Sequence, residues 1–179
     1  EDWLAPPVDQ TPVPPGAKPY DWDPVTGLSR RFQPGQPGGM HTLTGLAHDR
    51  ASKVAYDPAI NEEGLRARSL KLAALQKTLK APPVVGGADG EGGARLLVGW
   101  GSTMGAIEEA VTRLRGEGLA VSSMHLRFLQ PMPSGIREIL KRFKRVMTIE
   151  GNWSDKLDDE IIDEDNRRYS ALAMMLRSR

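Results

Sequence analysis

Nine of the 14 prolines fall within the first 50 of 179 residues. Proline fixes φ, removes a backbone donor and disfavours helix in the residue before it. Residues 1–60 are therefore expected to form an extended, irregular arm or linker with little surface of its own to bury. The arm carries aromatic anchors, Trp3, Tyr20, Trp22 and Phe32, whereas disordered tails are poor in aromatics. The expectation is an arm that wraps over another domain or subunit; a loosely ordered tail is the alternative.

Beyond Asn61 the pattern turns helical. Leu65, Leu72, Leu75 and Leu79 recur at helical spacings, with Arg66, Arg68, Lys71, Lys77 and Lys80 mostly opposite. This predicts an amphipathic helix over 61–80, about five turns long. Residues 81–94, rich in glycine and carrying Pro82 and Pro83, read as a flexible linker.

Residues 95–179 read as an α/β domain. Arg95–Trp100 is a short apolar run suited to a buried parallel strand. Gly101-Ser102-Thr103 forms a turn in which either hydroxyl caps the next helix, whose apolar face is Ile107, Ala110, Val111 and Leu114. Gly116 and Gly118 end that helix, and Leu119–Leu126 is a second strand, completing a right-handed βαβ crossover. After Pro131 and Pro133, Ser134 is the expected N-cap of a helix using Ile136, Ile139, Leu140 and Phe143. Val146–Ile149 makes a third strand. The acidic stretch 155–168 suits a surface loop, and Tyr169, Leu172, Ala173 and Leu176 begin a last helix. The fold class is thus α/β: a three-layer, open, mainly parallel sheet preceded by the proline-rich arm. The chain begins without methionine and stops before a strand that would complete the pattern, so it is expected to be a piece of a longer protein.

Composition removes several functions. Lys and Arg total 24 against 23 Asp and Glu, a balance unsuited to electrostatic capture of nucleic acid. Without cysteine the chain has no disulfide, thiolate nucleophile or Cys-ligated zinc or iron–sulfur cluster of its own. No metal site is expected from His41, His48 and His125 alone. No apolar run approaches the length of a membrane span. The chain reads as soluble and cytoplasmic.

In an open parallel sheet, ligands gather at the carboxyl ends of the strands. Gly101, Ser102, Thr103, Arg127, Glu150 and Asn152 converge there and form the candidate anion or loop site. A helix N-terminus with free N–H groups suits an anion; a hydroxyl-capped glycine turn, required by any strand–helix junction, explains the first three residues equally. Gly99-Trp-Gly101-Ser-Thr-Met-Gly105 also spells G-x-G-x-x-x-G, a loose dinucleotide pattern in which Arg127 would meet a 2′-phosphate. Trp100 between the glycines opposes it. Thr103 stands where a nucleophile elbow carries Ser, yet no His–acid pair follows in hydrolase order. His48-Asp49 is the one adjacent His–carboxylate pair, placed in the arm away from any nucleophile. His125 suits a core histidine.

Several segments resemble one family in the right order. Leu97-Val-Gly-Trp-Gly-Ser-Thr-Met-Gly-Ala-Ile-Glu-Glu-Ala-Val111, His125-Leu-Arg-Phe-Leu-Gln-Pro-Met-Pro133 and Val146-Met-Thr-Ile-Glu-Gly-Asn152 resemble the second domain of the α subunit of 2-oxoacid:ferredoxin oxidoreductases. Gly27–Gly35 and Thr44–Asp49 are similar to the linker leaving its thiamine-binding domain, with the 2-oxoglutarate type nearest. The resemblance implies a fold like the C-terminal domain of transketolase. It also implies a part in the coenzyme A-dependent oxidative decarboxylation of a 2-oxoacid. Thiamine diphosphate, an iron–sulfur cluster and coenzyme A would serve the parent complex, none bound by this fragment. The implied partners are the rest of the α subunit, the β subunit and ferredoxin, in an oligomeric assembly. This segment would serve structure and subunit packing, with no catalytic residue, and would be inactive alone. The Gly-Gln-Leu usual after the family's Glu-x-Asn is replaced here by Trp153-Ser-Asp-Lys-Leu157, and 155–168 looks like an insertion. The alternative is a stand-alone NADP-type nucleotide-binding module.

Overall fold

The computed structural model describes residues 11–86, 93–156 and 158–178. The chain divides into two compact units, Glu1–Thr78 and Leu79–Arg179. Trp3 and part of the 81–94 linker lie outside the described residues.

The first unit is turns tied to one helix. Asp23 Oδ1 accepts from the N–H groups of Val25 and Thr26 at 3.0 and 2.7 Å and from the Thr26 hydroxyl at 2.8 Å. These bonds hold its carboxyl below the usual range, the Thr26 N–H contributing most. The turn closes through Gly27, at φ +66°, whose added Cβ would strike the carbonyl oxygen of Ala67. Arg50 bonds both Asp21, at 2.9 Å, and Glu63 of the helix. Tyr20 stacks on His48 with ring centroids 3.7 Å apart, and Phe32 meets His41 edge-on at 5.7 Å. Tyr20, Trp22 and Phe32 therefore pack among residues of their own unit, where the sequence suggested anchors for a neighbour. Side-chain and turn bonds replace the regular ladder that the prolines preclude.

The helix α1 spans Pro58–Thr78, three residues earlier than the periodicity predicted. Pro58 sits at the first helical position, and Asp57 Oδ1 accepts from the Ala59 and Ile60 N–H groups at 2.8 and 3.4 Å. Its inner stripe is also not the leucine row. Gly64 and Ala67 are the buried residues, whereas Leu65, Leu72 and Leu75 are 53%, 39% and 37% exposed. Small residues let the backbone of the Gly27 turn approach the helix, which a leucine face would prevent.

The second unit is a four-stranded sheet. Strand β1 is Val84–Val85, β2 Gly93–Trp100, β3 Val121–Leu126 and β4 Phe143–Ile149. The spatial order is β1-β3-β2-β4, with β2 parallel to both β3 and β4 and β1 antiparallel to β3. Helix α2, Met104–Gly116, joins β2 to β3; α3, Ile136–Leu140, precedes β4, and α4, Ala171–Arg177, follows it. Alternation along β2 builds two cores. Leu96 and Val98 meet Met124, Leu126, Met132, Ile136, Ile139 and Leu172 on one face. Leu97 meets Ile107, Val111 and Val121 on the other. Helices thus cover both faces, the three-layer arrangement expected. Each fully buried leucine contributes about 1.5–3 kcal/mol.

Three local expectations differ from the structure. Phe143 opens β4 instead of closing a helix, since α3 ends at Leu140 after little more than a turn. The N-cap of α3 is Gly135, at φ +87°, and not Ser134. Residues Val84–Val85, read as linker, add the antiparallel edge strand.

Candidate functional site

The parallel register aligns the strand ends. Trp100 lies beside Leu126, and Gly99 beside Ile149. The turn Gly101–Thr103, Arg127, Glu150 and Asn152 therefore share one edge of the sheet, and their roles differ.

Gly101–Thr103 forms a single 3-10 turn. The Thr103 hydroxyl accepts from the Trp100 N–H at 3.2 Å and donates to the Trp100 carbonyl at 2.8 Å. It closes the turn and caps no helix N–H. Gly99 serves packing: an added Cβ would clash with Ile107 Cδ1 and come within 2.6 Å of Thr103 Oγ1. Gly101 has φ +60°, a left-handed conformation glycine adopts without strain. Gly99 and Gly101 thus have a steric and a conformational account, whereas Gly105 faces open space. Ser102 and Arg127 are exposed, and no ion-pair partner of Arg127 occurs among the described residues.

Glu150 is the most constrained member. Its carboxylate accepts from the Leu172 N–H at 3.1 Å, from the Ala173 N–H at 3.3 Å and from Asn152 Nδ2 at 2.8 Å. Burial raises its pKa, but hydrogen bonds from Ser170, Asn152, Leu172 and Ala173 together bring it below the usual value. The carboxylate stays ionised, with α4 supplying the donors in place of Arg127.

Beyond Asn152, the acidic stretch is closed by a pair that no spacing rule in the sequence reveals. Buried Asp155 accepts from Arg168 Nε at 2.9 Å, from the Arg168 N–H at 3.0 Å and from Trp153 Nε1 at 2.8 Å. Its own N–H donates to the Arg168 carbonyl at 2.9 Å. The Arg168 side chain is the main reason its carboxyl lies far below the usual range. The described residues between them, 156 and 158–167, form a loop with a locked neck. Asp163 orders the far end, accepting from the Asp165 and Asn166 N–H groups at 2.9 and 3.0 Å.

The remaining candidates are not brought to this edge. His48 Nδ1 faces the Asp49 carbonyl at 3.3 Å, while the Asp49 carboxylate accepts from the Ala51 and Lys53 N–H groups. They form no general-base pair. His125 sits on β3 opposite Gly99, and its Nδ1 is buried without a hydrogen-bond partner. Among the described residues no group of three His, Cys, Asp or Glu side chains is placed to hold a metal ion.

Beside the exposed Ser102 and Arg127, the edge exposes large apolar side chains. Trp100, Met104, Phe128 and Trp153, following or ending the three parallel strands, are all exposed, Trp153 at 71%. Tryptophan and phenylalanine flanked by arginine are the side chains enriched in protein interfaces.

Residues 94–174 match the family model described as pyruvate:ferredoxin oxidoreductase core domain II. The chain is 36% identical over 152 residues to the 2-oxoglutarate oxidoreductase subunit KorA of Mycobacterium tuberculosis, covering 82% of this chain and 22% of that protein. It is 31% identical over 140 residues to the α subunit of 2-oxoacid:ferredoxin oxidoreductase 1 of Aeropyrum pernix, covering 72% of this chain and 22% of that one. A solved 2-oxoglutarate:ferredoxin oxidoreductase from Magnetococcus marinus, with 2-oxoglutarate, coenzyme A and succinyl-CoA bound, aligns with a TM-score of 0.62 at 32% identity. That alignment covers 80% of this chain and 25% of the other. The chain thus spans about a fifth of the length of the curated relatives it matches.

Proposed function

We propose that this chain, a member of the α-subunit family of 2-oxoacid:ferredoxin oxidoreductases, is the structural and subunit-packing portion of an enzyme that oxidatively decarboxylates a 2-oxoacid. Its relatives' names favour 2-oxoglutarate as the acid, coenzyme A as the acyl acceptor and ferredoxin as the electron acceptor. Thiamine diphosphate and an iron–sulfur cluster belong to other parts of that assembly. The residues here do not fit the cluster, since the chain has no cysteine. Among the described residues no helix is long and apolar enough to cross a membrane, and we place the enzyme in the cytoplasm.

The observation that carries this reading is the state of Glu150. A carboxylate whose oxygens accept three donors from α4 and Asn152 is a fixed strut, poorly suited to moving protons. Gly101–Thr103, Arg127 and Asn152 shape an edge whose exposed Trp100, Phe128 and Trp153 meet the other domains or subunits. Nothing at the glycine turn favours the NADP-type alternative: Ile107 and the Thr103 hydroxyl crowd Gly99.

The test is Glu150→Gln in the full-length complex. Activity is expected to fall modestly, in proportion to a loss of stability or assembly. A fall of several orders of magnitude in kcat with assembly intact would make Glu150 catalytic and overturn the reading.

A further inference from the structure

Two arginines, Arg167 and Arg177, flank the ring of Tyr169. The guanidinium carbons of Arg167 and Arg177 lie 4.8 and 4.2 Å from the centroid of the same ring. They are therefore at most 9.0 Å from each other, the sum of those distances. Neither forms an ion pair among the described residues. Arg167 Nε is buried with no acceptor. The adjacent Arg168, by contrast, is fully engaged by Asp155. Glu164 Oε2 accepts from the Tyr169 hydroxyl at 3.2 Å and pairs with neither guanidinium.

Like charges gathered on one ring repel, and each guanidinium offers a planar fork of donors. The ring holds the cations by its π electrons but accepts few of those hydrogen bonds. Tyr169 lies two residues before α4, and its hydroxyl donates to Glu164. Among the described residues the cluster is thus a pair of cations with unfilled donor capacity. We propose that Arg167, Tyr169 and Arg177 form an oxyanion site for a diphosphate group, free or carried by a nucleotide. A diphosphate has the charge to neutralise both cations and terminal oxygens far enough apart to reach two separated forks, each a charge-assisted contact. Chloride has neither property. The site lies outside the candidate edge residues and does not depend on the proposed enzymatic role.

The experiment follows the arginine Nε–H signals of the 179-residue chain by NMR at constant ionic strength. Sodium pyrophosphate, inorganic phosphate and ADP are titrated separately. Saturable shifts of Arg167 and Arg177 with pyrophosphate are expected, and Arg177→Ala should weaken binding by about tenfold or more. Arg167→Lys keeps charge but loses the fork and should weaken it too, while Tyr169→Phe, which retains the ring and loses only the bond to Glu164, should weaken it less than either arginine substitution. Comparable binding of ADP would assign the site to a nucleotide diphosphate; pyrophosphate binding alone would assign it to the free anion. Arg113→Ala, in an exposed pair with Glu109 on α2, is the control for non-specific charge. The proposal is overturned by absence of a saturable shift, or by shifts that persist in a folded Arg167→Ala/Arg177→Ala variant.

Discussion

Glu150 and Asp155 lie five residues apart, and each fixes a different contact. Glu150 accepts the leading N–H groups of α4, as a capping carboxylate does. Glu150→Gln keeps the shape but loses the charge, and should lower stability by about 1–2 kcal/mol at pH 7. Its folded pKa lies below the ordinary value of 4.5. Its ionised form therefore contributes stability above that value, and the contribution disappears as pH falls through the lower folded pKa. Urea unfolding at neutral pH and near pH 3 should show the wild-type advantage shrinking in acid; an advantage independent of pH would show that the charge is irrelevant. Asp155 follows the same sign with a lower threshold, because Arg168 holds its carboxyl far below 3.8. Asp155→Asn should open the loop neck at neutral pH. Trypsin is expected to cleave after Lys156, Arg167 or Arg168 faster in the variant, and equal cleavage rates would show that the neck is held otherwise.

At the scale of elements, β2 and α2 meet with almost no clearance. Gly99→Ala places a methyl against Ile107 Cδ1 and Thr103 Oγ1, so α2 must shift. Overpacking of this kind costs about 1–3 kcal/mol, and a lower urea midpoint with an unchanged slope is the expected readout. A midpoint equal to that of wild type would show that α2 yields freely. The same junction explains what was legible beforehand. Leu96, Leu97 and Val98 form an uninterrupted apolar run, and such a run announces a strand covered on both faces. Ile107 and Val111 repeat at helical spacing, so the βαβ crossover could be read directly. Helix α1 misled because a leucine row is the usual sign of a buried face; its true inner stripe of Gly64 and Ala67 follows from the close approach of Gly27, a distant backbone partner that periodicity does not encode. Asp57-Pro58 did carry a readable start signal, an N-cap followed by proline at the first helical position. Phe143 satisfied helical spacing and strand composition alike, and only pairing with β2 decided between them. At the candidate edge, parallel topology was enough to gather Gly101, Arg127 and Glu150. The partners of Glu150 and Asp155 were hidden, because contacts to Leu172 and Arg168 depend on how the intervening loop returns.

Across the whole molecule, two kinds of cohesion stand in one chain. In Leu79–Arg179 the central strand β2 is hydrogen-bonded on both sides and carries Leu96 and Val98 with no exposed surface. In the other unit, residues 11–57 are held by turns, ring contacts and the Arg50 bonds to Asp21 and Glu63. Exposed ion pairs contribute only about 0–1 kcal/mol each, and isolated turn bonds open without disturbing their neighbours. Amide hydrogen exchange should separate the two. The amides of Leu96–Val98 are expected to exchange only through global unfolding, with a free energy that falls alongside overall stability in Gly99→Ala. Those of residues 11–57 should exchange by local opening, orders of magnitude faster, and their rates should not follow that variant. Arg50→Ala supplies the reciprocal measurement, accelerating exchange near Tyr20 and Asp21 while leaving β2 unchanged. Equal protection in both regions, or β2 amides that respond to Arg50→Ala, would mean that the units unfold as one cooperative body and that turn bonds and rings bind the arm as firmly as the sheet is bound.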